Sequence, residues 1–306
     1  MATADAPADP VARVGGRTVK LSHLDKVLYP GNGFTKAEVL DYYARISGVL
    51  LPHLTGRPLT RKRWPNGTGA PSFFEKNAPK GAPSWVRTVT LPVPGSTKNR
   101  DEIDYVIADE TATLAWLANL AALELHVPQW QVDADGKAQP PDLLVLDLDP
   151  GPPATVVDCC EVALAARDIV EDEIGPLFAK VSGSKGMQLY ARWPGDADEP
   201  DDSAAYAHAL AERLEKQLPK LVVSRMTKTL RPGKVLVDWS QNNPAKTTIA
   251  PYSLRGREIP TVSAPVTWDE VGSCADPADL VFLPADVFSR VADDGDLFAG
   301  LLGSEG

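Results

Sequence analysis

Two aspartates, Asp147 and Asp149, stand at the end of the run Leu143-Leu144-Val145-Leu146-Asp147-Leu148-Asp149-Pro150. A short, almost purely apolar segment reads as a strand buried on both faces. Residues i and i+2 of a strand point to the same face, so the two carboxylates project side by side. Carboxylates that close repel each other unless a cation sits between them. Hard oxygen ligands suit Mg²⁺ or Mn²⁺, ions that commonly keep room for substrate phosphates. On its own the pair reads equally well as a polar strand end leading into a turn at Pro150. A second apolar run carrying one carboxylate, Lys234-Val235-Leu236-Val237-Asp238-Trp239, adds weight to the metal reading. Three acidic groups on neighbouring strand ends make a two-metal phosphoryl-transfer site.

Other segments could serve such a site. Arg61-Lys62-Arg63-Trp64 is followed by Phe73-Phe74-Glu75-Lys76. By default three consecutive cations form a solvated face, yet cations interleaved with aromatics also offer phosphate contacts and base-stacking surfaces together. In Ser182-Gly183-Ser184-Lys185-Gly186 small residues let the backbone approach a phosphate and Lys185 can neutralise it. Walker A spacing is absent, and a plain hairpin turn explains the segment as well. His126 ends an apolar run and by itself reads as a core histidine. Residues 133–137 resemble a calcium loop only superficially, because the later ligands are missing.

The elements that would position these residues alternate between strand and helix, with hairpins around the acidic strands. That favours an α/β or α+β sheet with helices packed on it. Thr35 and Glu38 fit a capping box opening a helix to about Leu51. Further helices are expected over Thr111–Leu123, Thr155–Ile174, Ala204–Leu218, Trp268–Val271 and Ala285–Val291. Strands are expected at Trp85–Val86, Ala179–Val181, Met187–Arg192 and Leu221–Val223. Residues 1–15 read as a disordered tail, 16–295 as one domain, and 296–306 as an acidic tail. Asp196–Asp202 reads as an acidic surface loop.

A chain of 306 residues can bury a substantial core. No stretch is apolar and long enough to cross a membrane, and the N-terminus lacks the basic and apolar regions of a signal peptide. A cytoplasmic location, at the bacterial nucleoid, is expected, with no membrane partner. Three cysteines give neither a disulfide framework nor a zinc pattern, and Cys159 and Cys160 are most simply core thiols. The net charge of -10 argues against bulk attraction to nucleic acid but permits a local basic groove.

Taken together, the motifs resemble a known family. Asp-Lys-Val-Leu-Tyr-Pro (25–30), Arg-Lys-Arg-Trp-Pro-Asn-Gly (61–67), Phe-Phe-Glu-Lys (73–76), His-Val-Pro-Gln-Trp (126–130), Asp-Leu-Asp-Pro-Gly (147–151), Ser-Gly-Ser-Lys-Gly (182–186), Val-Asp-Trp-Ser-Gln-Asn (237–242) and Ala-Pro-Tyr-Ser-Leu-Arg (250–255) stand in order. From about Val19 to Val271 the sequence resembles the primase-polymerase domain of the bacterial end-joining DNA ligase D, of the archaeo-eukaryotic primase superfamily.

The resemblance implies a primase-like core with an RRM-like antiparallel or mixed sheet. Its parts would be a DNA- and 5′-phosphate-binding region over 16–125, a catalytic region over 126–260 and a C-terminal wrap over 261–295. It implies a polymerase that adds nucleotides, preferring ribonucleotides, to primer ends at gaps and double-strand breaks, with two Mn²⁺ (or Mg²⁺) ions. Asp147, Asp149 and Asp238 would be the catalytic metal ligands. Ser182, Lys185 and Arg231 would contact the triphosphate, with His126, Gln241 and Arg255 around the incoming nucleotide. Lys26 and Lys36, joined by Arg63, would hold the 5′-phosphate of a gap. Phe73 would stack on the template base and Phe74 on the incoming one. Partners implied are gapped or 3′-overhanging DNA, NTPs or dNTPs, an end-joining ligase and the Ku end-binding protein.

The sequence holds neither an adenylation motif nor a ligase domain, so it reads as either an excised domain or a free-standing relative, with the polar N-terminus and acidic tail leaning toward the second. Gap repair outside end joining is therefore an alternative setting. Two rival classes are a catalytically silent end-binding module that recruits repair factors and a metal-dependent nuclease. Three intact carboxylates favour the polymerase, since a binding module gains nothing from repelling charges placed together.

Overall fold

A computed structural model describes residues 10–93, 101–194 and 202–303. The larger sheet has six strands in the order Val222–Val223, Val235–Asp238, Leu143–Pro150, Met187–Arg192, Leu177–Val181, Pro265–Val266. Neighbours are antiparallel except Val222–Val223, which runs parallel to Val235–Asp238. A four-stranded antiparallel sheet has the order Thr248–Ile249, Ala122–Val127, Thr60–Arg63, Phe73–Glu75. The expected mixed sheets with packed helices are present.

The central strand Leu143–Pro150 divides its residues by parity. Leu144, Leu146 and Leu148 join the main core, with Cys159 and Cys160 of the helix Val156–Glu173. That helix and the helix Asp202–Gln217 pack together against the strand. On the other face Val145 is buried with Tyr190, Phe298 and Leu301. Asp147 and Asp149 follow Val145 on that face, and exposure rises toward the strand end. The helix Lys36–Leu54 opens with the expected capping box between Thr35 and Glu38. Among the described residues no helix is long and apolar enough to cross a membrane.

Several expectations need correction. Residues 11–14 are not a disordered tail. Val11–Val14 pairs with Arg17–Lys20 through Gly15 and Gly16, whose φ of 52° and 80° suit a tight hairpin. Residues 1–9 lie outside the described residues. The helix from Thr111 ends at Asn119, and Ala122–Val127 is a strand. The reversal uses Ala121 at φ 55°, a conformation that propensity does not announce. That strand crosses the expected division at 125/126, and Thr248–Ile249 pairs with it from far along the chain.

Trp85 and Val86 form no strand; the hairpin instead joins Thr88–Pro92 to Glu102–Val106. Most of the acidic loop, 195–201, lies outside the described residues, and Asp202 begins a helix. The segment after 295 is not a loose acidic tail as far as Gly303. Asp296 accepts hydrogen bonds from Tyr252 and Phe298 and pairs with His53, while Phe298 and Leu301 are buried. Residues 304–306 lie outside the described residues.

One side chain fixes the acidic edge. Asn242 is buried; its Oδ1 accepts from the Val145 N–H at 2.9 Å and its Nδ2 donates to the Val145 carbonyl at 2.8 Å. Nδ2 also reaches the Trp239 carbonyl at 2.8 Å, tying the central strand to the turn after Asp238. Where pairing with the Asp238 strand stops, this amide replaces it. Asn242→Ala leaves buried backbone groups unpaired and is expected to cost about 2 kcal/mol or more in urea denaturation. An unchanged midpoint would contradict the anchoring role.

Candidate active site

Strand register brings the acidic residues together. Asp147 is paired directly with Asp238, and Asp149 lies two residues along the same strand face. One carboxylate oxygen from each lies within 4.8 Å of the others. Burial, then Asp149 and Asp238, pushes the Asp147 carboxyl up to about 7, against opposition from Gln188 and Lys180. Asp149 is also raised, by burial and then by Asp238, while Arg231 and Lys185 oppose the shift. Three hard oxygen donors that repel one another fit a divalent cation, which removes the repulsion.

Two of the three carboxylates are oriented by hydrogen-bonding neighbours. Asp238 Oδ1 accepts from the Ser240 N–H at 3.0 Å and the Ser240 hydroxyl at 2.5 Å, and Lys246 holds that hydroxyl in turn. Gln241 Nε2 donates to Asp238 Oδ2 at 2.9 Å. Gln188, opposite Asp147 in register, donates to Asp147 Oδ1 at 3.1 Å. The fully buried Lys180 donates to Gln188 Oε1 at 2.6 Å and to Ser263 Oγ at 2.7 Å. Burial holds Lys180 well below the usual lysine range, and Asp147 works against that shift.

His126, Ser182, Lys185, Gln241 and Arg255 line one cleft with Asp147 and Asp149, so residues far apart in sequence converge. Ser182 Oγ accepts from the Ser184 and Gly186 N–H groups, each at 3.3 Å, which shapes the small-residue turn. A Cβ on Gly186 would lie 2.0 Å from the Leu148 carbonyl oxygen, so only glycine lets this hairpin approach the central strand. Arg231 donates to the Met226 carbonyl at 2.8 Å, and its charge reaches Asp149.

Phe73 and Phe74 are 45% and 55% exposed, large apolar rings left open to solvent. Phe74 meets His126 edge-on at 5.6 Å, which places it beside the cleft. Lys62 sits over Phe74 at 5.3 Å, and Arg63 over Phe73 at 5.4 Å. Arg63 is not a free cation. Its Nη1 donates to both Glu75 carboxylate oxygens, and its Nε donates to the Leu120 carbonyl at 2.9 Å.

Lys26 and Lys36 form a separate basic locus. Lys36 is the first residue of its helix and donates to the Ser22 carbonyl at 2.6 Å; Lys26 donates to Pro65 O and Asn66 Oδ1. Burial and then Lys26 push Lys36 down to about 8. Neither lysine pairs with a carboxylate among the described residues, and two cations at a helix N-terminus suit an anion.

Sequence reasoning missed Glu124, Lys180 and Gln188. A lone lysine inside the apolar strand Leu177–Val181 was a legible signal for Lys180. The alternation Glu124-Leu125-His126 is the signal of a shared strand face.

Comparison with known proteins adds an independent line. A family model described as the LigD primase-polymerase domain matches residues 35–298. The chain is 48% identical over 287 residues to the multifunctional non-homologous end joining protein LigD of Mycolicibacterium smegmatis, covering 92% of this chain and 36% of that protein. It is 31% identical to the bifunctional non-homologous end joining protein LigD of Bacillus subtilis, covering 90% of this chain and 43% of that one. The chain thus spans little more than a third of the mycobacterial relative. The solved polymerase domain from Mycobacterium tuberculosis ligase D, in complex with DNA, matches with a TM-score of 0.85 at 46% identity, covering 92% of this chain and 97% of that one.

The repulsion gives a direct test. Divalent cations bound by the folded state alone raise its stability, by about 2.7 kcal/mol at a hundredfold excess over Kd. A rise in Tm on adding Mn²⁺ is expected, and Asp149→Asn should abolish it while leaving the metal-free Tm equal or higher. An equal Mn²⁺ response in the variant would remove Asp149 from the ligand set.

Proposed function

The chain belongs to the LigD primase-polymerase family, and from that premise we propose that it is a DNA-dependent nucleotidyltransferase. It extends primer ends at gaps and double-strand breaks, with ribonucleotides as preferred substrates and Mn²⁺ as the preferred ion. The observation that carries this reading is the meeting of Asp147, Asp149 and Asp238 within 4.8 Å, the first two lining a cleft with Lys185 and Arg255. A site for adding nucleotides needs ligands for cations beside positive groups for a triphosphate, and both are here.

The chain's own residues divide the work. Lys185 and Arg231, whose charges reach Asp149, balance triphosphate oxygens on that side of the trio. Ser182 and its turn bring backbone close to the phosphates, while Arg255 and His126 flank the incoming nucleotide. Phe74 gives that base a stacking face, worth roughly 1–3 kcal/mol and indifferent to sequence. Phe73 offers the same to the template base, with Arg63 holding its ring and strand in place rather than meeting phosphate. Lys26 and Lys36 receive the 5′-phosphate across the gap. Divalent cations held by the three aspartates supply the positive charge that lowers the pKa of the primer 3′-hydroxyl and offsets the charge of the departing pyrophosphate.

The names of the relatives set this chemistry in non-homologous end joining, with gap filling in other repair as a second setting. An end-joining ligase and Ku are the partners that such a role requires.

Incubation with a 5′-phosphorylated gapped duplex, nucleotides and Mn²⁺ is expected to lengthen the primer. Asp149→Ala is expected to abolish lengthening while the duplex stays bound. Retention without lengthening by the parent protein, or shortening, would overturn the polymerase reading.

Lys36 gives a pH signature. Its folded pKa lies below the usual lysine value, at about 8, so its charge is present at pH 7 and lost as pH rises through that value. Preference for a 5′-phosphate over a 5′-hydroxyl gap is therefore expected to fall between pH 7 and pH 9.5, by fluorescence anisotropy. A constant preference would remove Lys36 from the phosphate site.

A further inference from the structure

Glu124 is 2% exposed on the strand Ala122–Val127, two residues before His126 and on the same face. Its Oε2 lies 2.9 Å from His126 Nε2. Its Oε1 accepts from the Gly256 N–H at 3.0 Å and lies 3.6 Å from Arg255 Nε, which is buried without a hydrogen-bond partner. One buried carboxylate thus meets both residues that flank the incoming nucleotide in the reading above, on which this inference rests.

We propose that Glu124 is the positioning residue of the nucleotide site: it keeps the His126 proton on Nε2, leaving Nδ1 as an acceptor, and anchors the backbone that carries Arg255. An ionised carboxylate can only accept hydrogen bonds, so the ring nitrogen facing it must donate. Burial alone would raise Glu124, but the His126 hydrogen bond, the Arg255 charge and the Gly256 N–H hold it at about 2. Burial keeps His126 below the usual histidine range despite Glu124, so the ring is neutral near pH 7 and Nδ1 retains its lone pair. The ring then accepts a hydrogen bond from a hydroxyl or amino donor of the ligand. It does so without adding a second full positive charge next to Arg255.

Glu124→Gln keeps the shape and changes the donor pattern. With its oxygen on the Gly256 N–H, the new amide nitrogen faces His126 and drives the proton to Nδ1. In the parent protein the ¹⁵N shifts of His126 are expected to show a protonated Nε2 and a bare Nδ1; the variant is expected to show the reverse. Nucleotide KM should rise about tenfold with kcat within about twofold, the pattern of lost ground-state positioning. In a His126→Ala background the same substitution should raise KM by clearly less. A parent ring protonated on Nδ1, or a folded variant with unchanged tautomer and KM, would overturn the proposal. The parent spectrum decides even if the variant does not fold. A parent protein that bound no nucleotide would defeat the functional reading instead, while the ring signature still judged Glu124.

Discussion

Asp147 and Asp238 face each other across an antiparallel ladder, and Asp149 shares that face one step nearer solvent. Like charges at this spacing destabilise the sheet edge on which they stand, and burial aggravates the cost. The edge persists because the ladder is rigid behind it: Leu144, Leu146 and Leu148 lock the central strand into the main core, and Val145 seals the other face. The backbone cannot relax the repulsion by fraying. Relief comes from a proton, as the raised Asp147 and Asp149 carboxyls record, or from a divalent cation.

The functional groups depend on partners deeper than themselves. Lys180 and Ser263 hold Gln188, which holds Asp147. Asn242 holds the turn that carries Ser240 and Gln241, and these hold Asp238. Glu124 does the same for His126 and for the backbone at Gly256. In each case a group beside the cleft is fixed through polar partners whose chain of bonds ends on a buried side chain, Lys180, Asn242 or Glu124. Such networks are costly when broken, which makes them effective at defining one geometry.

Much of this was legible in the sequence, where chemistry and local periodicity coincide. The Asp-x-Asp spacing on an apolar run gave the shared face of Asp147 and Asp149, and the Thr35 capping box gave the start of its helix. Pairing across the chain was not legible. Nothing local says that Asp238 lies opposite Asp147 rather than one strand away, or that Thr248–Ile249 joins the strand of His126. The turn at Ala121 broke a helix that composition would have continued. The packed segment around Phe298 looked like a tail because its short apolar stretch, Leu297-Phe298 and Leu301-Leu302, is flanked by glycines and acidic residues and shows no sustained helix or strand period. Arg63 appeared to be a free cation because its partner Glu75 sits on the next strand.

The central claim is that this acidic trio holds divalent cations for nucleotide addition. Anomalous diffraction from crystals grown with Mn²⁺ and a nucleoside triphosphate tests it most directly. The account predicts two manganese peaks ligated by Asp147, Asp149 and Asp238, with the triphosphate beside Lys185. Manganese bound elsewhere, or a triphosphate seated in the cleft with no peak at the trio, would contradict it.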